Sequence, residues 1–119
     1  MTGQTKRFCK TLSLKKDPKL IEEYCHHHAK GHTWPEINQG MRDVGIIDME
    51  IYLHGNQLFM IMETTAGFDH ERDMQRLALM PRQKEWEAFM AKYQDVDPAE
   101  PSAGKWRMME RVYSLREQE

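Results

Sequence analysis

Residues 46–63 read Ile46-Ile47-Asp48-Met49-Glu50-Ile51-Tyr52-Leu53-His54-Gly55-Asn56-Gln57-Leu58-Phe59-Met60-Ile61-Met62-Glu63. Strand side chains alternate between two faces, so Ile47, Met49, Ile51 and Leu53 point one way and Asp48, Glu50 and Tyr52 the other. His54-Gly55-Asn56-Gln57 is turn chemistry, and Leu58 to Glu63 is a second apolar run, which together predict an antiparallel hairpin closed by Gly67. Upstream, Phe8 to Leu14 reads as another strand that stops at Lys15-Lys16-Asp17-Pro18. The Asp17 carboxylate can accept from an orphan N–H of a first helical turn, while Pro18 stands where no donor is needed. Leu20, Ile21 and Tyr24, then Trp34, Ile37, Met41 and Val44, form a helical stripe broken near Ala29 to Thr33 by Gly31 and Pro35. Downstream, Phe68–Leu79 and Pro81–Tyr93 are helical, the second begun by Pro81 and presenting Trp86, Phe89, Met90 and Tyr93 on one face. A polar loop over Asp95–Gly104 precedes an amphipathic strand over Trp106–Leu115. The order is β-α-β-β-α-β, an α+β, ferredoxin-like split βαβ in which helices cover one sheet face and the other needs water or a partner.

The chain has 119 residues, 39% of them hydrophobic, which suits a single domain over residues 1–119. Lys and Arg number 17 against 19 Asp and Glu, a formal charge of -2, so there is no net basic field to attract nucleic acid or anionic lipid. The apolar run Leu58–Met62 is far short of the ~20 residues of a membrane helix, and Met1–Arg7 lacks a signal peptide's apolar stretch. Cys9 and Cys25 stand apart, which suggests reduced thiols in a cytoplasmic protein rather than a disulfide framework or thiolate zinc site.

The segment Glu22–Glu36 holds four of the six histidines. Tyr24 and His28 are four apart, hence neighbours on one helical face, and the stripe containing Tyr24 turns that face inward. An imidazole there can exchange protons at neutral pH, although a hydrogen-bonded core histidine has the same spacing. His28 and His32 could present two imidazoles to a metal only if the helix ran through Gly31, and no further ligand follows. His26 and His27 face elsewhere and are expected in solvent. Trp34, Trp86 and Trp106 read individually as core, yet an aromatic ring beside a histidine and a carboxylate also suits the apolar C–H face of a pyranose. The ten methionines read as core filling. Asp48, Glu50 and Glu110 are expected to pair with Arg107 and Arg111 across the sheet.

Glu22-Glu23-Tyr24, His28, Trp34-Pro35-Glu36, Glu50-Ile51-Tyr52-Leu53, Trp86 and Glu110-Arg111-Val112-Tyr113 together resemble the L-rhamnose mutarotase family, from about Cys9 to Leu115. The resemblance implies a homodimeric ferredoxin-like fold, a dimeric α/β barrel, that interconverts the α and β anomers of a 6-deoxyhexose without metal or organic cofactor. It implies His28 as the general acid, with Tyr24 and Trp86 against the sugar. Five residues separate His28 from Trp34 where the family has three, which Gly31 can absorb; counting back from Trp34 instead would land on Lys30. Met49 and Glu87 stand where the family has a sugar-contacting tyrosine and a second tryptophan, so L-fucose competes with L-rhamnose as substrate. The expected site is therefore catalytic His28 with Tyr24, Trp34, Met49, Trp86 and Glu87 on the sugar, and Asp48, Glu87 or a water as base. Tyr52, Trp106 or Tyr113 would supply apolar area to the dimer. A cofactor-independent monooxygenase and a non-enzymatic ligand-binding module are the alternatives on the same fold.

Overall fold

A computed structural model describes residues 4–96 and 105–118. Four strands, β1 (Thr5–Ser13), β2 (Ile46–His54), β3 (Gln57–Thr65) and β4 (Arg107–Met108), form one antiparallel sheet in the order β2-β3-β1-β4. Between β1 and β2 lie α1 (Pro18–His28) and α2 (Pro35–Asp43), and after β3 come α3 (His70–Ala78) and α4 (Gln83–Ala91). The first helical stripe is thus two short helices, broken where expected, and the two stretches expected downstream are α3 and α4. Gly31, at φ 85°, turns the chain between the first two. Between the second two, Pro81 does not begin a helix. It sits in a turn with Arg82, whose left-handed φ of 63° directs the chain into Gln83. The cap expected at Asp17 forms, its carboxylate accepting from Lys19 N at 3.0 Å and Leu20 N at 3.4 Å. Asp69 caps α3 in the same way, accepting from Arg72 N at 3.0 Å.

The hairpin forms with Gly55-Asn56 as its two-residue loop, but its alternation starts differently from the sequence reading. A bulge places Ile47 between Ile46, which pairs with Thr64, and Asp48, which pairs with Glu63. Ile46 is therefore the buried residue, at 4% exposure, and Ile47 is 53% exposed. Beyond the bulge, Met49 and Ile51 turn inward as expected. On the neighbouring strands Leu58, Met60 and Met62 and then Lys10, Leu12 and Leu14 occupy the same inner face. The helices cover this face, and Tyr24, Ile37, Phe68, Leu77 and Tyr93 close the core over it.

The last strand is shorter than the sequence suggests, because β4 pairs with β1 only at Arg107–Met108. Trp106 precedes it as a buried core residue, so it does not contribute to the outer face. The expected loop over 95–104 lies, from residue 97 onward, outside the described residues. β2 and β4 are opposite edges of the sheet, so Asp48 and Glu50 cannot meet Arg107 or Arg111 across two intervening strands. Asp48 instead accepts from Met49 N at 2.9 Å, Glu50 from the Tyr52 hydroxyl at 3.1 Å, and Arg111 pairs with Glu117 at 2.8 Å. Among the described residues no helix is long and apolar enough to cross a membrane.

Candidate active site

Between the inner sheet face and the helices lies a cavity of about 320 Å³. Its floor is the sheet: Lys10 from β1, Met49 and Ile51 from β2, Met60 and Met62 from β3. Tyr24 and His28 of α1 form one wall, and Trp86, Glu87 and Met90 of α4 another. Gln83, Gln94, Lys105 and Trp106 also border it. Methionines and aromatic rings make up about half of its lining and polar or charged side chains much of the rest, an apolar pocket with convergent polar groups such as holds a small molecule.

The helical spacing of Tyr24 and His28 stacks their rings, with centroids 4.1 Å apart and planes 26° from parallel. His28 Nδ1 lies 2.8 Å from the Tyr24 carbonyl oxygen. A carbonyl only accepts, so this bond puts a proton on Nδ1 and leaves Nε2 of the neutral ring as a lone pair. Burial, the largest influence, moves the His28 pKa below its ordinary value; the Tyr24 backbone bond opposes this and His27 adds to it. At neutral pH the resting imidazole is therefore a proton acceptor. Burial, with a smaller contribution from the neighbouring Cys25, raises the Tyr24 phenol far above its usual range, so its O–H stays a donor. Trp86 meets His28 edge-on, with centroids 5.5 Å apart.

Of the sequence-derived site residues, the fold gathers Tyr24, His28, Met49, Trp86 and Glu87 around the cavity. Trp34 is not on its surface. It packs edge-on to Trp86 at 5.1 Å and parallel to Phe89 at 5.8 Å, with the Arg82 guanidinium 4.0 Å over its ring, so it braces the wall from behind. Lys30 and His32 are exposed and away from the cavity, and His32 packs against His26 at 4.4 Å, so the helix registers His28 to the site. His27 is not solvated as expected but packs on Phe89 at 4.7 Å and Tyr93 at 5.8 Å. Asp48 points to the outer face and does not border the cavity, which removes it as a base. Of the expected bases Glu87 and a water remain, and Glu87 Oε2 accepts from Gln83 Nε2 at 3.0 Å.

Sequence reasoning missed Lys10, Gln83, Gln94 and Lys105, and of the tryptophans it left off the expected site, Trp106 borders the cavity. The signal for Lys10 was present: it occupies the inward phase of β1, between Phe8 and Leu12, where the pattern calls for an apolar residue. The side-chain oxygens of Gln83 and Gln94 are buried with no partner among the described residues. A buried acceptor without a donor is costly, and ligand hydroxyls would satisfy both.

Comparison with known proteins identifies the family and the fold. A family model for L-rhamnose mutarotase matches residues 7–115. An L-fucose mutarotase of Xanthomonas campestris pv. campestris is 33% identical over 111 residues, spanning 93% of this chain and 89% of the relative. A UPF0734 protein of Dictyostelium discoideum is 38% identical over 114 residues, spanning 92% and 90%. The crystal structure of an L-rhamnose mutarotase from Formosa agariphila superposes with a TM-score of 0.68 at 25% identity, covering 92% of this chain and 98% of that one. With the family match running over nearly the whole sequence and the same architecture in a solved relative, the chain belongs to the L-rhamnose mutarotase family, a family of isomerases.

Proposed function

We propose that this protein interconverts the α and β anomers of L-rhamnose or L-fucose, with His28 as a proton-transfer group. The observation that carries the reading is the His28 ring itself, stacked on Tyr24 and bordering a cavity edged by Trp86 and Glu87. The cavity's 320 Å³ lies at the small end of ligand sites, a scale that suits one monosaccharide. Ring opening needs one group to remove the proton of the anomeric hydroxyl and another to protonate the ring oxygen; the C1–C2 bond then turns, and closure reverses both transfers. The sequence resemblance implies His28 as proton donor. Its neutral resting form, with the lone pair on Nε2, supports a fuller cycle in which His28 first accepts the anomeric proton and then donates it back during closure. The Tyr24 hydroxyl is suited to donate a hydrogen bond to a sugar oxygen, and the unpaired Gln83 and Gln94 oxygens to accept from sugar hydroxyls. The ferredoxin-like dimeric arrangement and a cytoplasmic location belong to the same reading. Exposed apolar residues on the outer sheet face support the first, and the free Cys9 and Cys25 thiols are consistent with the second.

Exchange NMR on both sugars, with and without protein, tests this directly. The native protein should speed exchange between anomer signals, and His28→Ala should slow it by ~10-fold or more with the fold intact. Full activity in His28→Ala would remove the histidine from the mechanism.

A further inference from the structure

The cavity holds a charge that the sequence resemblance does not use. Lys10 is only 2% exposed, on β1 between Met60 of β3 and Met108 of β4, and its side chain belongs to the cavity floor opposite the helix that carries His28. Among the described residues it forms no ion pair. An unpaired buried ammonium costs stability and is retained where it has work to do. The other titratable groups around it are Tyr24 and His28 from α1, Glu87 from α4, Lys105, and His70 of α3, whose pKa burial lowers first and the Lys10 charge lowers further. A carboxylate only accepts hydrogen bonds, and the neutral His28 ring has its one N–H committed to the Tyr24 carbonyl. With His28 taking the anomeric proton first, as in the cycle above, a second group has to protonate the ring oxygen while the histidine still holds that proton.

Resting on the mutarotase reading above, we infer that Lys10 is the second catalytic residue: its ammonium protonates the ring oxygen while His28 takes the proton of the anomeric hydroxyl. In that step the bond from C1 to the ring oxygen breaks and its electron pair goes to that oxygen, which gains the Lys10 proton. The electron pair of the anomeric O–H becomes the second bond of the aldehyde carbonyl, and its proton goes to His28 Nε2. The products are the open-chain sugar, a neutral amine and an imidazolium. After rotation about C1–C2 the amine recovers its proton from the hydroxyl, that oxygen closes onto the other face of C1, and the imidazolium protonates the carbonyl oxygen. No outside oxidant, reductant or co-reactant is consumed. Burial brings the Lys10 pKa down to about 8, which leaves it mostly protonated at neutral pH while making it a far better acid than a solvated lysine.

The test measures anomer exchange by NMR for the native protein, Lys10→Met and Lys10→Arg, correcting for the uncatalysed rate. Methionine matches the surrounding cavity, and arginine keeps the charge but does not release its proton. Both variants should lose about 10²-fold in kcat with KM changed only a few-fold. In the native protein the rate should fall as pH rises through about 8, because only the ammonium form donates, whichever way the variants fold. A native-like kcat in either variant, or a native profile flat across that range, overturns the assignment. If the native protein gives no acceleration on either sugar, the mutarotase reading itself fails and this inference falls with it.

Discussion

Met49 and Glu87 border the cavity from opposite sources, one from the sheet floor and one from α4, at the two positions where the family resemblance implies aromatic residues. A thioether and a carboxylate there offer less stacking surface and one more strong acceptor. L-Fucose and L-rhamnose differ in hydroxyl orientation, and a site that bonds one hydroxyl rejects the isomer that misplaces it. Met49→Tyr and Glu87→Trp should each shift the ratio of exchange rates from L-fucose toward L-rhamnose, and the double variant should shift it furthest, by ~10-fold for one hydrogen bond gained or lost. Rates on both sugars for all four proteins check this; an unchanged ratio would mean that neither side chain touches the sugar. The helical offset of four made Tyr24 and His28 readable from sequence as a pair, because that spacing stacks side chains whatever the tertiary structure. The place of Trp34, off the cavity surface, was not legible for the opposite reason. Nothing local to Thr33-Trp34-Pro35 reveals that Trp86, Phe89 and Arg82 enclose its ring, since those contacts come from α4 and the turn before it, distant in sequence.

The hairpin was legible because alternation and turn chemistry agree over both strands, and it forms with the expected loop. What alternation could not show is the bulge at Ile47, which follows the point where Gly45 passes the chain from α2 into β2 at φ 102°. Its carbonyl accepts from Thr65 N at 3.0 Å, and a Cβ there would stand 3.1 Å from Thr65 Oγ1. Gly45→Ala should therefore cost roughly 1–2 kcal/mol in a urea titration through its positive φ and this close approach. Gly31→Ala also has positive φ but meets nothing within 4 Å, and should cost less. Equal losses at the two glycines would show that the Thr65 contact adds nothing. The extent of β4 escaped the sequence too, since Trp106–Leu115 carries strand-forming residues but pairs with β1 only at Arg107–Met108, with one further bond from Met109 N to the Cys9 carbonyl at 2.8 Å.

At the scale of the molecule, the helices occupy one face of the sheet and leave the other uncovered. Register places Tyr52 opposite Phe59, and Ile61 beside Cys9 and Glu50, on that outer face, where Tyr52 is 55%, Phe59 37% and Ile61 36% exposed. Phe59 and Ile61 lie on β3, inside the sheet rather than at its edge, so the apolar patch is central to the face. Trp106, expected to contribute, is withdrawn into the core, which leaves Tyr52 and the β3 pair on this face; Tyr113, 64% exposed, lies beyond the end of β4. A second copy of the chain is the occupant we propose, since the apolar patch is central to a sheet face that no helix covers, where an isologous contact can bury it. Light scattering at micromolar concentration should give twice the chain mass, and the melting temperature should rise with protein concentration. Ile61→Asp puts an unpaired charge at the centre of that contact while leaving the cavity on the other face untouched, so it should give a folded monomer. A native protein of monomer mass would end the proposal, as would an Ile61→Asp variant that keeps the dimer mass.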